Sequence, residues 1–346
     1  MAVPVVGSSQ TSPHRPMNES DNTTQRGTVD QPDDEPLTHD ITAVATTAEE
    51  VIDNVGGILV GHRDTVEHVL IAVLARGHVM LEDVPGVGKT MLSKALAGSI
   101  DCSFRRIQFT PDLLPSDITG VNVFNQKTQS FEFQPGPIFA NIVLGDEINR
   151  APPKTQSAML EAMEEQQVTI DGITHQLPHP FTVMATRNIV EPHRTYELPI
   201  AELDRFMKTV KMGYPSERQE IELLERVVGD HPIEELEPVI DTEGVRDAQI
   251  AVSNVTIEEP IRLYATKLAT RTRKRADLGA SPRGTIALLR ASQARAAING
   301  RDYVIPDDVK DEAVHVLAHR VRPTLEDSEL DGTQLVKEAL DDVPIP

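Results

Sequence analysis

The sequence predicts an α/β fold: a parallel sheet between helices, interrupted by two hairpins and followed by a small all-helical domain. Three observations predict it. Short apolar runs alternate with helical patterns between residues 78 and 212, the arrangement that builds a parallel sheet with helices on both faces. A glycine-rich segment, residues 83–90, closes the first of these runs and opens a helix. Beyond Pro215 the strand patterns stop and helical periodicity continues alone.

The elements follow in order. Residues 1–46 are rich in Ser, Thr, Pro, Asp and Asn, and residues 1–40 hold seven acidic and two basic side chains. So little apolar surface cannot offset the entropy of ordering, which predicts a disordered acidic tail. Helical periodicity runs through 49–60 and 64–76. A buried strand is expected at 78–82, a helix at 89–99, and further strands at 105–109, 142–146, 181–186 and 206–212. One inserted hairpin spans 120–135. The other spans 167–177, where Asp171-Gly172 is a turn signal. Helices are expected at 217–228, 257–272, 282–298 and 306–318, and the acidic end, 325–346, has one amphipathic segment near 333–340. The domains are thus a tail (1–46), an α/β core (47–214) and a helical domain with a C-terminal extension (215–346).

Composition narrows the function classes. The net charge is −21, from 33 basic and 54 acidic residues, so a broad DNA-binding face would repel phosphates. Tryptophan is absent and aromatics make up 3%, which leaves little to stack on single-stranded bases. No nucleic-acid partner is expected. The lone cysteine, Cys102, forms no internal disulfide and suits a reducing cytosol as a small core residue. Residues 1–15 lack a signal-peptide pattern. The apolar run 69–81 is too short to span a bilayer and is interrupted by Arg76 and His78. A cytoplasmic protein without direct membrane insertion is expected.

Five motifs carry chemistry. The first is Asp83-Val84-Pro85-Gly86-Val87-Gly88-Lys89-Thr90, followed by Met91 in the helix. Between a strand and a helix, such a loop aims backbone N–H groups at phosphate oxygens. Lys89 reaches the β- and γ-phosphates of ATP, and the Thr90 hydroxyl coordinates Mg²⁺. Asp83 stands where the pattern usually begins with glycine. The second motif ends the strand 142–146: Asp146 holds the Mg²⁺ shell, and Glu147 orients and deprotonates the attacking water. Gly145 is unusual in a buried strand and is expected to weaken packing. The third is Asn188, whose amide, after the strand 181–186, can bridge the water and the γ-phosphate. The fourth is Arg205, just before a strand, where a guanidinium can reach a neighbouring subunit's nucleotide; the bland reading is a surface ion pair with Asp204 or another carboxylate. The fifth is Ser281-Pro282-Arg283, where Ser caps a helix, Pro begins it, and Arg283 in the first turn could swing onto the γ-phosphate.

In this order the motifs resemble those of the MoxR family of AAA+ ATPases, from about residue 51 to the end. Residues 81–90, 109–120, 131–141, 146–156 and 281–284 carry the likeness. The resemblance implies an AAA+ P-loop NTPase core with two hairpin insertions and a small helical lid. It implies Walker A, Walker B, first-sensor, arginine-finger and second-sensor roles for the residues above, and places Val60-Gly61-His62 near the adenine. His62 and Arg187 stand where relatives usually carry Gln. A homo-oligomeric, hexameric ring is implied, with a partner bearing a von Willebrand factor A domain and a chaperone-like role in remodelling or maturing other proteins. The alternative is a nucleic-acid motor with the same core, which the acidic balance disfavours. Two weaker signals remain. His315 and His319 stand four apart on a helix without a third metal ligand, so packing histidines are expected. Lys267, Arg271, Arg273, Lys274 and Arg275 form a basic run, either a solvated face or a site for an acidic partner.

Overall fold

The computed structural model describes residues 40–82, 86–187, 196–227, 233, 236–324 and 330–346. The first helix, α1 (Ile41–Ile58), starts upstream of the expected end of the tail. Asp40 caps it, its carboxylate accepting from the Thr42 N–H at 2.9 Å, and Val44 and Ala48 are buried. Residues 41–46 therefore belong to the fold, which corrects the boundary at 46; the rest of the expected tail lies outside the described residues.

The chain continues through α2 (Arg63–Leu74), β1 (Val79–Glu82), α3 (Lys89–Ser99), β2 (Phe104–Gln108) and α4 (Pro115–Thr119). A hairpin follows, β3 (Gly120–Asn125) with β4 (Ser130–Pro135), then β5 (Ile142–Asp146) and α5 (Pro153–Glu165). The second hairpin is β6 (Gln167–Ile170) with β7 (Ile173–Gln176); β8 (Thr182–Arg187), α6 (Ile200–Leu203) and β9 (Lys208–Val210) complete the α/β part. The remainder is helical: α7 (Glu217–Val227), α8 (Thr242–Ser253), α9 (Glu259–Arg275), α10 (Pro282–Ile298), α11 (Pro306–Leu317) and α12 (Gly332–Asp342).

Five strands form one parallel sheet in the order β2-β5-β8-β1-β9. Side chains alternate between its faces, as a strand's period of two requires. Val79 and Leu81 join one core, whereas Met80 joins the other. The strands flanked on both sides are buried throughout or nearly so and read as continuous apolar runs. One core includes Val51, Val69 and Leu92 and continues into the lid through Leu288, Ala291 and Val316. The other gathers Phe109, Ile138, Leu160 and Phe206. Core and lid thus share apolar packing, and residues 39–346 form one compact unit.

A buried ionic joint crosses the same boundary. Lys208 on β9 and Glu312 on α11 are fully buried, 2.6 Å apart. Glu312 also accepts from Arg295 Nε at 2.8 Å, and Arg295 bonds Glu67 on α2 at 2.9 Å. Both hairpins form at the expected positions, and the Asn122 amide links them by donating to Asp171 at 2.8 Å. Gly145 corrects an expectation. A Cβ there would stand 3.2 Å from both Met159 Sδ and the Phe109 ring, so glycine allows close packing rather than weakening it.

Candidate functional site: a phosphate-loop cleft and a separate arginine cavity

Lys89, Thr90, Asp146 and Glu147, four of the expected site residues, gather where β1 and β5 end, outside the carboxyl edge of the parallel sheet, where open α/β folds bind ligands. Gly86 and Gly88 adopt φ of +86° and +95°, a left-handed backbone available without strain to glycine. Gly88 caps α3, and Lys89 and Thr90 are its first residues. With Met91, Asp146 and Glu147 they line an open cleft of about 460 Å³. Val87 packs into the core, leaving its backbone for the loop. Val60 and Gly61 do not line the cleft, but Leu59 Cδ1 lies 3.4 Å from where a Cβ would stand on Gly88, so their turn adjoins the loop. His62 is buried. Pro85 and Asn188 lie outside the described residues, as does Asp83.

The two carboxylates are held by Thr186, at the end of β8. Its hydroxyl donates to Asp146 Oδ1 at 2.7 Å and accepts the Glu147 N–H at 2.8 Å. Glu147 has φ +57° and ψ +52°, a left-handed conformation that costs a non-glycine residue about 1–2 kcal/mol. The Thr186 hydroxyl supports that strained turn. From β2, Arg106 reaches Asp146 Oδ2 with Nε at 3.1 Å, and the Gln108 amide donates to Glu147 Oε2 at 3.2 Å. Arg150 pairs with the same Glu147 oxygen at 2.7 Å. Sequence reasoning did not assign Thr186, Arg106 or Gln108 to the site. Arg187 turns away from the cleft and pairs with the buried Glu82 on β1.

The donor set fits Mg–ATP. A hydroxyl and a carboxylate suit a hard dication, and the first turn of α3 with its lysine suits phosphate. Among the described residues nothing lies within 4 Å of where a Cβ of Gly86 would be, which leaves space beside the loop.

Arg205 and Arg283 are brought together, but not in this cleft. Both line a different cavity of about 250 Å³, along with Arg76, Arg290 and Arg320. Glu164, at the end of α5, bridges them: Arg205 Nε lies 3.2 Å from one carboxylate oxygen, and Arg283 pairs with the other. Arg283 thus stands beside Arg205 and Glu164 rather than in the cleft of Lys89 and Thr90. Arg205 has an ion pair with another carboxylate, as the bland reading allowed, and not with Asp204, whose carboxylate accepts from Arg320 Nε at 2.6 Å.

The weaker signals resolve as packing. His315 Nδ1 lies 3.2 Å from the Thr209 carbonyl, and His319 Nε2 lies 3.1 Å from that of Phe206. No cluster of three metal-ligating side chains occurs among the described residues. In the basic run, Arg271 and Arg275 pair with Asp342 and Glu338 on α12, so the chain's own acidic C-terminal helix is their partner. Cys102 packs against the core, and burial pushes its thiol up to about 12. No helix among the described residues is long and apolar enough to cross a membrane.

A phosphate loop opening a helix, paired carboxylates at the end of the next strand but one in the sheet and a helical lid define an ATPase of the AAA+ class. Comparison with known proteins agrees. Residues 78–208 match the ATPase family associated with various cellular activities (AAA), and residues 268–339 match the AAA lid domain. The chain is 51% identical over 301 residues to the uncharacterized protein YeaC of Bacillus subtilis, covering 86% of this chain and 94% of that protein. It is 39% identical over 292 residues to Chaperone MoxR1 of Mycobacterium tuberculosis, covering 81% and 77% of the two chains. A solved structure from Cytophaga hutchinsonii, assigned as an ATPase, superposes with a TM-score of 0.83 at 38% identity, covering 89% of this chain and 97% of that one. The chain belongs to the MoxR family of AAA+ ATPases.

Proposed function

We propose that the chain hydrolyses Mg–ATP at interfaces between neighbouring copies in a ring and uses the cycle to remodel or mature partner proteins. One observation carries the shared site: Arg205 and Arg283 line one cavity, whereas Lys89, Thr90, Asp146 and Glu147 line another. Each chain then offers a phosphate-binding half-site and an arginine half-site, and a complete centre needs two chains. Head-to-tail contacts of this kind close into a ring when the rotation permits, and a hexamer is the family expectation.

Mg–ATP supplies the phosphoryl group and the cation that neutralises its charge. Lys89 balances phosphate charge as a compact ammonium. Thr90 and Asp146 supply oxygens to the metal. Glu147 accepts a proton from water at its carboxylate, and Thr186 fixes the angle at which it does so. Asn188 would orient the same water, and Pro85 belongs to the loop that embraces the phosphates. From the neighbour, Arg205 and Arg283 would stabilise the charge that develops on transfer.

A protein client is supported by the hairpins. They expose Phe124, Phe131 and Ile173 at 51%, 71% and 58%, apolar side chains suited to protein contact rather than to phosphate. A partner with a von Willebrand factor A domain is the family expectation for that client.

The test mixes inactive variants. Glu147→Gln binds ATP without hydrolysing it, and Arg205→Ala and Arg283→Ala each retain an intact Glu147. Mixed rings of Glu147→Gln with either arginine variant should regain part of wild-type turnover. If Arg283 served its own chain, its mixture with Glu147→Gln would stay inactive. No recovery with Arg205→Ala, in rings that scattering shows to be mixed, would reject the shared site.

A further inference from the structure

Arg320 lies just beyond α11, only 2% exposed, in a position no motif identifies. A buried guanidinium is costly to desolvate and is retained where its fan of donors is filled. Here Nη1 also bonds the Val316 carbonyl and lies 2.7 Å from His319 Nε2, and the other bonds of the fan go to one short loop. Nε donates to the Asp204 carboxylate at 2.6 Å. Nη2 donates to the carbonyls of Asp204 at 2.9 Å and Phe206 at 2.7 Å, and Nη1 donates to that of Met207 at 3.2 Å. These acceptors flank Arg205 on both sides, so a lid side chain sets the backbone from which Arg205 projects.

The same carboxylate holds the second arginine's helix. The Ser281 hydroxyl donates to Asp204 at 3.0 Å and accepts the Gly284 N–H at 3.1 Å as the cap of α10. Arg283 lies between Ser281 and Gly284. Gly284 has its own reason to be glycine: a Cβ there would stand 2.8 Å from Arg320 Cδ. Arg320, Asp204 and Ser281 therefore tie the Arg205 loop to the Arg283 turn across the core–lid boundary.

We propose that Arg320 is the positioning residue for the two arginines, acting through Asp204 and Ser281 so that Arg205 and Arg283 meet a neighbouring chain's nucleotide as one unit. This rests on the reading that Arg205 acts on a neighbour. At 2% exposure Arg320 is too buried to act on a nucleotide directly, so its loss should leave ATP affinity intact and lower kcat. A misplacement of about an ångström can cost about a hundredfold.

The experiment measures ATP binding, kcat and recovery in mixed rings. Arg320→Ala should bind ATP as wild type does and lose turnover about tenfold or more. Adding Arg320→Ala to the double variant Arg205→Ala/Arg283→Ala should slow turnover no further, because Arg320 acts only through those two residues. Mixed with Glu147→Gln, Arg320→Ala should regain hydrolysis; mixed with Arg205→Ala, it should not. A fold-wide defect would not follow this pattern of complementation. If Arg320→Ala does not fold, Gly284→Ala carries the same test, because alanine favours the helix while displacing Arg320. Wild-type kcat, or no recovery with Glu147→Gln in confirmed mixed rings, would overturn the positioning role. Failure of Arg205→Ala itself to recover with Glu147→Gln would instead reject the shared site on which that role depends.

Discussion

Thr186 is the residue on which both carboxylates of the cleft depend, since one hydroxyl serves Asp146 as donor and the Glu147 N–H as acceptor. Thr186→Val keeps the shape and removes both bonds. It should leave ATP affinity within about twofold while lowering kcat about tenfold or more, because losing a buried hydrogen-bond partner costs about 1–3 kcal/mol. Steady-state kinetics beside calorimetric ATP binding check it; a loss of binding with unchanged kcat would sink the assignment. By contrast, Lys89→Ala should abolish ATP binding in the same calorimetry, and Glu147→Gln should keep binding while slowing hydrolysis about 10²-fold or more. The sequence reveals Gly86, Gly88, Lys89 and Thr90 because they are contiguous, and Asp146 and Glu147 because they end an apolar run. Thr186, Arg106 and Gln108 enter the cleft from other strands, so only the order β2-β5-β8-β1-β9 could have found them.

At the scale of elements, the parallel strands and both hairpins were legible because their apolar periods and turn residues are local. Four helices were not: the short α4 and α6, and the longer α5 and α8. The helix α5 carries Glu164, yet its buried side chains include Thr155 and Gln156, which blur a 3.6-residue pattern. The helix α8 has Gly244 in its first turn, although Asp241 caps it with a bond of 2.8 Å. The joint between α11 and β9 was equally hidden, because a buried Lys208–Glu312 pair looks in sequence like two surface charges. Glu312→Gln leaves Lys208 facing a neutral amide and should destabilise the fold by about 3–5 kcal/mol. Urea unfolding would show this, and a loss below about 1 kcal/mol would mean that the pair is dispensable.

The same joint sets an acid limit. Burial pushes His68 down to about 4 from its ordinary 6.5, a direction shared by His78, His315 and His319. Between those two values the unfolded chain binds more protons than the folded one, so folding stability rises with pH there. Their contribution is complete above about pH 6.5 and is lost as pH falls toward about 4. Glu312, whose carboxyl is held low by Lys208, His68 and Arg295 against the opposing effect of burial, adds a further loss below its ordinary value of 4.5. Urea midpoints should therefore decline steadily from pH 7 to pH 4.5. A flat profile over that range would show that these histidines remain open to water.

For the whole molecule, the arrangement of core and lid decides where ATP does its work. The sequence suggested a lid whose Arg283 could swing onto a γ-phosphate. The structure instead joins lid to core by shared apolar packing, the Lys208–Glu312 pair and the Arg320 loop contacts, with Arg283 beside Arg205. Breaking a buried ion pair alone costs about 3–5 kcal/mol, so nucleotide-driven change should fall between chains, where contacts are formed anew, rather than within one. Two measurements follow. Turnover per chain should rise with protein concentration and fall, on dilution, to the level of Arg205→Ala, because an isolated chain lacks a neighbour's arginines. Distance labels at the exposed Lys94 on α3 and Lys337 on α12 should report the same separation with and without ATP. A constant rate per chain on dilution would place the arginines in their own chain's service. A separation that changes with ATP would mean that the joint opens and that the hinge lies inside the subunit.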